Sequence, residues 1–157
     1  MGSHNTVSLN LEALRAEAER WIGTPWRIGS RVPGPDGGTD CAGPTHAVLV
    51  AAGVLQPEPQ PPRLPVDYGY HNHHSPIEEY IQKYYSDVFT CCDPSNEEPV
   101  PGDVLGLHYG KIVYHSAVMV TAHEFIHSRP RAGTRLSSLN EPRYRKGLRC
   151  IWRPVIQ

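Results

Sequence analysis

The sequence predicts an α+β domain, with N-terminal helices packed on an antiparallel β-sheet. Two observations carry this. Apolar residues recur at helical spacing only in the first half of the chain, within 10–22, 41–52 and 75–84. The second half holds short β-branched or alternating runs between turn residues, at 104–107, 112–120, 124–128 and 148–152. Helices first and strands second give segregated layers rather than a βαβ alternation.

The first helix is expected over 10–22. Asn10 can cap it, Leu11, Leu14, Ala18, Trp21 and Ile22 fall on one face, and Gly23 and Pro25 stop it. Residues 27–39, rich in Gly and Pro, read as loop. A second, apolar helix runs from about Cys41 to Ala52, with Pro44 tolerable in its first turn and Gly53 as its stop. Residues 56–65 form a stiff proline-rich crossing. Ser75-Pro76-Ile77-Glu78 has the form of a capping box with Pro at the first helical position, opening a third helix through Ile81 and Tyr84.

The chain of 157 residues fits one domain, residues 1–157, and its 39% hydrophobic content suits an ordinary core. A net charge of −1 gives no overall pull toward nucleic acid or an anionic membrane. No run reaches membrane-spanning length and no signal peptide is visible, although Met1-Gly2-Ser3-His4 leaves the native start open. Charge is segregated. Glu78, Glu79, Asp87, Asp93, Glu97, Glu98 and Asp103 face only Lys83, whereas Arg129, Arg131, Arg135, Arg143, Arg145, Lys146, Arg149 and Arg153 face only Glu141. The basic segment suits either an acidic polymer or partner, or the acidic segment of its own fold. The cysteines, Cys41, Cys91, Cys92 and Cys150, fit neither a zinc ribbon nor a disulfide scaffold, so free thiols are expected.

Cys41 falls at the expected start of the second helix. There, unpaired N–H groups and the macrodipole favour a thiolate, and the same N–H groups can serve as an oxyanion hole. A nucleophilic thiolate needs a base, and the base an orienting partner. Along the strand near 113–120, His115, Ala117 and Met119 share a face; along the next, Phe125 and His127 do. A hairpin turning near Thr121–His123 would set the two histidines side by side.

These residues resemble the NlpC-type cell-wall cysteine peptidases, a branch of the papain-like superfamily. Asp40-Cys41-Ala42-Gly43 stands where that family has Asp-Cys-Ser-Gly. Gly23-Thr24-Pro25-Trp26 matches its Gly-Thr-Pro-Tyr, and Pro101-Gly102-Asp103-Val104 its Pro-Gly-Asp-Leu turn. His115-Ser116-Ala117-Val118-Met119-Val120 and Phe125-Ile126-His127-Ser128 match its two histidine strands. The resemblance implies a papain-like core with the nucleophile helix packed on an antiparallel sheet. It implies Cys41 as nucleophile, His115 as base and His127 as its orienting partner, with Trp26, Asp40 and Ala42 around the substrate or oxyanion. It also implies a peptidoglycan stem peptide as substrate, cut at an amide bond through an acyl-enzyme without cofactor or metal, with action at the bacterial cell wall. The chain departs from the family at Trp26 for tyrosine, at Ala42 for serine and in a longer loop from Trp26 to Cys41, which bear on substrate specificity rather than on thiol chemistry.

Other groupings read as structural. His71-Asn72-His73-His74 lacks a completing ligand, His46 suits helix packing, and tyrosines 68, 70, 80, 84 and 85 suit core and surface. Cys41, His115 and His127 have ligand chemistry for zinc, but a glycine-rich approach to a helix-start cysteine favours a nucleophile. Two other functions fit the same residues: a catalytically weak structural or binding module, such as a component of a phage-tail tip or secretion assembly, and a thiol acyltransferase.

Overall fold

The computed structural model describes residues 8–63, 75–108 and 113–155. Among the described residues, four helices and eight strands run in the order α1 Leu11–Trp21, β1 Arg31–Val32, β2 Gly38–Thr39, α2 Ala42–Ala51, α3 Pro76–Tyr85, β3 Phe89–Cys92, β4 Val104–His108, β5 Val113–Met119, β6 Glu124–Arg129, β7 Gly133–Ser138, α4 Pro142–Gly147 and β8 Leu148–Pro154. Helices and an antiparallel sheet make the α+β class expected from the sequence.

Local chemistry sets the helix starts. The Asn10 side chain accepts from the Ala13 N–H at 3.0 Å, and the Ser75 hydroxyl from the Glu78 N–H at 3.1 Å. In α1, Leu14, Ala18 and Trp21 are buried, but Ile22 is 42% exposed, because its turn has already left the helix toward Gly23. The glycine-rich stretch expected as loop folds back into the short β1–β2 hairpin.

Six strands form one antiparallel sheet in the order β3-β8-β4-β5-β6-β7. The chain reaches β8 last and inserts it between β3 and β4. The Pro101-Gly102-Asp103 turn anchors β5: the Gly102 N–H donates to the Met119 carbonyl and the Met119 N–H to the Asp103 carbonyl. Gly102 takes φ +94°, a conformation in which any L side chain is strained, and a Cβ there would also push the Leu9 side chain, 2.6 Å away, aside. Buried Asp103 accepts from Arg153, which also reaches Glu97, while Arg145 pairs with Glu98 at 3.0 Å. Part of the basic segment is therefore answered by the acidic segment of the same fold.

The sheet separates two cores. One packs α1, α2 and α3 against Val104, Val118, Val120, Ile126 and Trp152, and includes Cys41. The other holds Leu105, Ala117, Met119, Phe125 and Ile151 with Tyr144 of α4. Alternation along β5 and β6 puts His115 and His127 in step with Ala117 and Phe125, on the second face.

Candidate active site

Cys41 is the N-cap of α2, in helical backbone (φ −69°, ψ −23°), and its side chain is fully buried. Its carbonyl accepts from the Thr45 hydroxyl at 3.0 Å and the Ser116 hydroxyl at 3.3 Å, and those two hydroxyls lie 3.2 Å apart. Ser116 follows His115 on β5, so these bonds hold the start of α2 against the strand that carries the histidine. None of the four cysteines is in a disulfide.

His115 Nε2 and His127 Nδ1 lie 2.9 Å apart, and His127 Nε2 lies 2.7 Å from the Ser137 hydroxyl of β7. The two imidazoles thus share one face, as the hairpin geometry required, and a third group extends the chain of bonds. The ladder between β5 and β6 is registered at Val118↔Ile126 and Met119↔Phe125. Beyond that register the strands run on to His115 and Arg129. Phe125 and Tyr144 meet the His127 ring edge-to-face, at 4.9 and 5.4 Å between centroids, and fix its plane.

Burial holds both histidines well below the usual imidazole range, because a charged ring there would lose its hydration. The nearby Arg129 guanidinium pushes both in the same direction, and Arg135 and Arg143 act further on His127. Both rings rest neutral. A neutral imidazole with a proton on one nitrogen and a lone pair on the other is the form that can accept a thiol proton.

Asp40 serves the scaffold. Its Oδ1 accepts from the N–H groups of Ala42 and Gly43 at 3.0 and 3.1 Å, and its Oδ2 pairs with Arg31 Nη2 at 3.2 Å. The expectation that the first N–H groups of α2 form the oxyanion hole therefore fails for Ala42 and Gly43, whose donors the Asp40 carboxylate occupies. Arg31 also donates to the carbonyls of Pro61 and Pro62, tying the proline-rich crossing to the helix start. A Cβ on Gly43 would lie 2.0 Å from Thr39 Oγ1, which explains the glycine of the Asp-Cys-Ala-Gly run. Trp26 is half-buried against the helix-side core and bridges Thr39 in parallel.

A cavity of about 60 Å³ begins at Ala42, Thr45 and Ser116 and runs between α2 and α3 to Tyr80, Ile81 and Phe89. His46 lines it, buried and lowered in pKa by that burial, with its Nε2 unpartnered. Tyr80 and Tyr85 share a hydroxyl contact at 3.2 Å, and both donate to the Pro59 carbonyl. The His71–His74 run, Tyr68 and Tyr70 lie outside the described residues. Among the described residues no cluster of three His, Cys, Asp or Glu side chains is arranged to hold a metal, and no helix is long and apolar enough to cross a membrane.

Sequence reading missed Ser137, Tyr144 and Arg31. Ser137 had a signal: in Arg135-Leu136-Ser137, alternate residues turn to the face of His127 once the strand is paired. Tyr144 and Arg31 reach the site through tertiary packing and had none.

No family model and no curated protein matches the chain. Solved structures do. One is a lipoprotein-like NLP/P60 family protein of Staphylococcus aureus subsp. aureus Mu50, at TM-score 0.60 and 19% identity, covering 99% of this chain and 46% of that one. A second is the NlpC/p60 domain of peptidoglycan hydrolase SagA, at 0.55 and 22%, covering 91% and 97%. A third is an NlpC/P60 family protein of Bacillus cereus ATCC 10987, at 0.55 and 20%, covering 97% and 42%. The chain spans less than half of the first and third proteins and nearly all of the SagA domain. The helix-start cysteine and the paired histidine strands thus stand on a shared architecture: this chain has the NlpC/P60 fold.

Proposed function

We propose that this protein is a cysteine hydrolase that cleaves an amide bond in peptidoglycan stem peptides. The observation that carries the reading is the bonded series His115–His127–Ser137, standing on the strand that the start of the Cys41 helix is tied to. The peptidoglycan hydrolase among the similar structures supports the substrate class.

The hydrogen bonds support one placement of the protons in this reading. His115 Nε2 is engaged with His127, so the proton of the Cys41 thiol passes to His115 Nδ1. In that tautomer His115 Nε2–H donates to His127 Nδ1, and His127 Nε2–H donates to Ser137. The thiolate attacks the amide carbonyl carbon, and its oxygen takes the negative charge. His115 returns the proton to the amine nitrogen as the C–N bond breaks, leaving a thioester on Cys41. Water then gives a proton to His115 and a hydroxyl to the acyl carbon, which releases the acid and restores the thiol. His127 orients the base and spreads the imidazolium charge that forms on it.

The test is incubation of purified protein with peptidoglycan fragments and identification of products by mass. Cleavage at one amide bond, lost in Cys41→Ser and His115→Ala, is the expected result. Intact fragments after prolonged incubation would refute the reading. The full burial of Cys41 favours one alternative, a binding module without turnover, which predicts retention of fragments with no product.

A further inference from the structure

We propose that Arg129 and Arg135 form a carboxylate-binding subsite beside the histidine pair, selecting substrates whose residue at the scissile amide carries a free carboxylate. The inference rests on the amide-hydrolase reading and names a determinant of its specificity.

Sheet register brings the two arginines to this place. In the β6–β7 ladder Arg135 lies directly across from His127. On β6, Arg129 lies two residues beyond His127 and so shares its face. Parity puts both arginines on the sheet face of the histidines, with Arg135 the cross-strand neighbour of His127.

The rest of the basic segment shows why these two stand out. Arg143, Arg145 and Arg153 are paired with Glu141, Glu98 and Glu97. Among the described residues, the side chains of Arg129, Arg131, Arg135, Lys146 and Arg149 have neither an ion pair nor a hydrogen bond; of these, Arg129 and Arg135 stand on the strands beside the histidines, and the buried Nε of Arg129 has no acceptor. A buried guanidinium donor without a partner is costly and uncommon in a finished structure. Arg129, and exposed Arg135 beside it, oppose any positive charge that forms on the rings during proton transfer. A carboxylate seated between them satisfies the Nε donor, offsets the charge and removes that repulsion in one step. Guanidinium is the suited group, since its planar fork matches a carboxylate in two hydrogen bonds.

The probes are the stem peptide L-Ala-γ-D-Glu-L-Lys-D-Ala and the same peptide with the glutamyl carboxylate converted to carboxamide. Binding is measured by calorimetry on Cys41→Ala protein, and turnover on the native chain. The carboxylate peptide is expected to bind at least about tenfold tighter than the carboxamide, as a charge-assisted pair requires. Arg135→Gln, at an exposed position, and Arg129→Lys, which keeps the charge but loses the fork, should each reduce that preference while circular dichroism stays unchanged. Equal affinity for the two peptides, or no binding of either, overturns the subsite. A preference that persists in both variants overturns its assignment to these arginines. Selective binding without turnover of either peptide supports the subsite and refutes the hydrolase reading instead.

Discussion

Asp40 offers a demanding test of how Cys41 is positioned. Its carboxylate is fully buried, accepts two N–H groups at the start of α2, and pairs with Arg31, whose side chain is 18% exposed. Asp40→Ala removes all of this. Loss of a helix cap costs about 1 kcal/mol. Loss of a charge-assisted bond that leaves Arg31 without its carboxylate costs about 1.5–3 kcal/mol more. Arg31 keeps the carbonyls of Pro61 and Pro62, which limits the damage. The sum is about 2.5–4 kcal/mol. Asp40→Asn retains an acceptor for the Ala42 and Gly43 N–H groups but loses the ion pair, so it should fall between the parent and the alanine variant. Urea unfolding gives the stabilities, and the rate of Cys41 alkylation reports whether the start of the helix stays in place. Stability and alkylation rate should both drop in the order native, Asn, Ala. Alanine and asparagine variants that match the native protein within about 0.5 kcal/mol, well below the cap and ion-pair terms combined, would show that neither interaction holds the site.

Further outcomes follow from the same geometry. Ser137→Ala leaves His127 Nε2 without its partner and should lower kcat about tenfold with KM little changed; an unchanged kcat would limit Ser137 to packing. Iodoacetamide should label Cys41 ahead of the other three cysteines, of which burial raises Cys92 and pushes Cys150 up to about 12; peptide mapping that finds Cys41 slowest would sink its assignment as nucleophile. Burial lowers the folded pKa of His46, His115 and His127, so the unfolded chain binds more protons as pH falls. The stability they contribute is complete above the unfolded value of about 6.5 and declines below it, toward their folded values. Urea midpoints measured from pH 7.5 down to 5 should show a shallower slope for His127→Asn, and an identical slope would exclude that ring from the effect. Salt should raise KM on intact sacculi with kcat nearly constant, because it screens exposed Arg135.

Much of this site was legible because it depends on local rules. Asn10, Ser75 and the glycine-rich approach to Cys41 announce helix starts through capping chemistry that acts over three or four residues. Strand parity alone put His115 and His127 on one face, and their 2.9 Å contact follows from that parity plus a tight hairpin. What escaped was long-range or weakly patterned. β7, Gly-Thr-Arg-Leu-Ser-Ser, contains one aliphatic residue and gives almost no apolar alternation, and β3 is only four residues long. α4 is a single basic turn after Pro142. Sequence places the Asp40 carboxylate next to Cys41 and so toward a substrate, whereas its orientation is fixed by Arg31, nine residues earlier and across a hairpin.

One connection joins the helical layer to the outer edge of the sheet. The Gly23 N–H donates to the Thr134 carbonyl, and the Thr134 N–H donates to the Thr24 carbonyl, so the segment leading to Trp26 lies along β7 like a short extra strand. Exposed strand edges invite other chains to add to them. Here an incoming strand would have to displace Gly23 and Thr24 first, and would unseat the loop that carries Trp26 as it did so. Edge-to-edge self-association through β7 and an intact approach to the cysteine are thus mutually exclusive states of this molecule, and aggregates that grow from that edge should be inactive from their first contact.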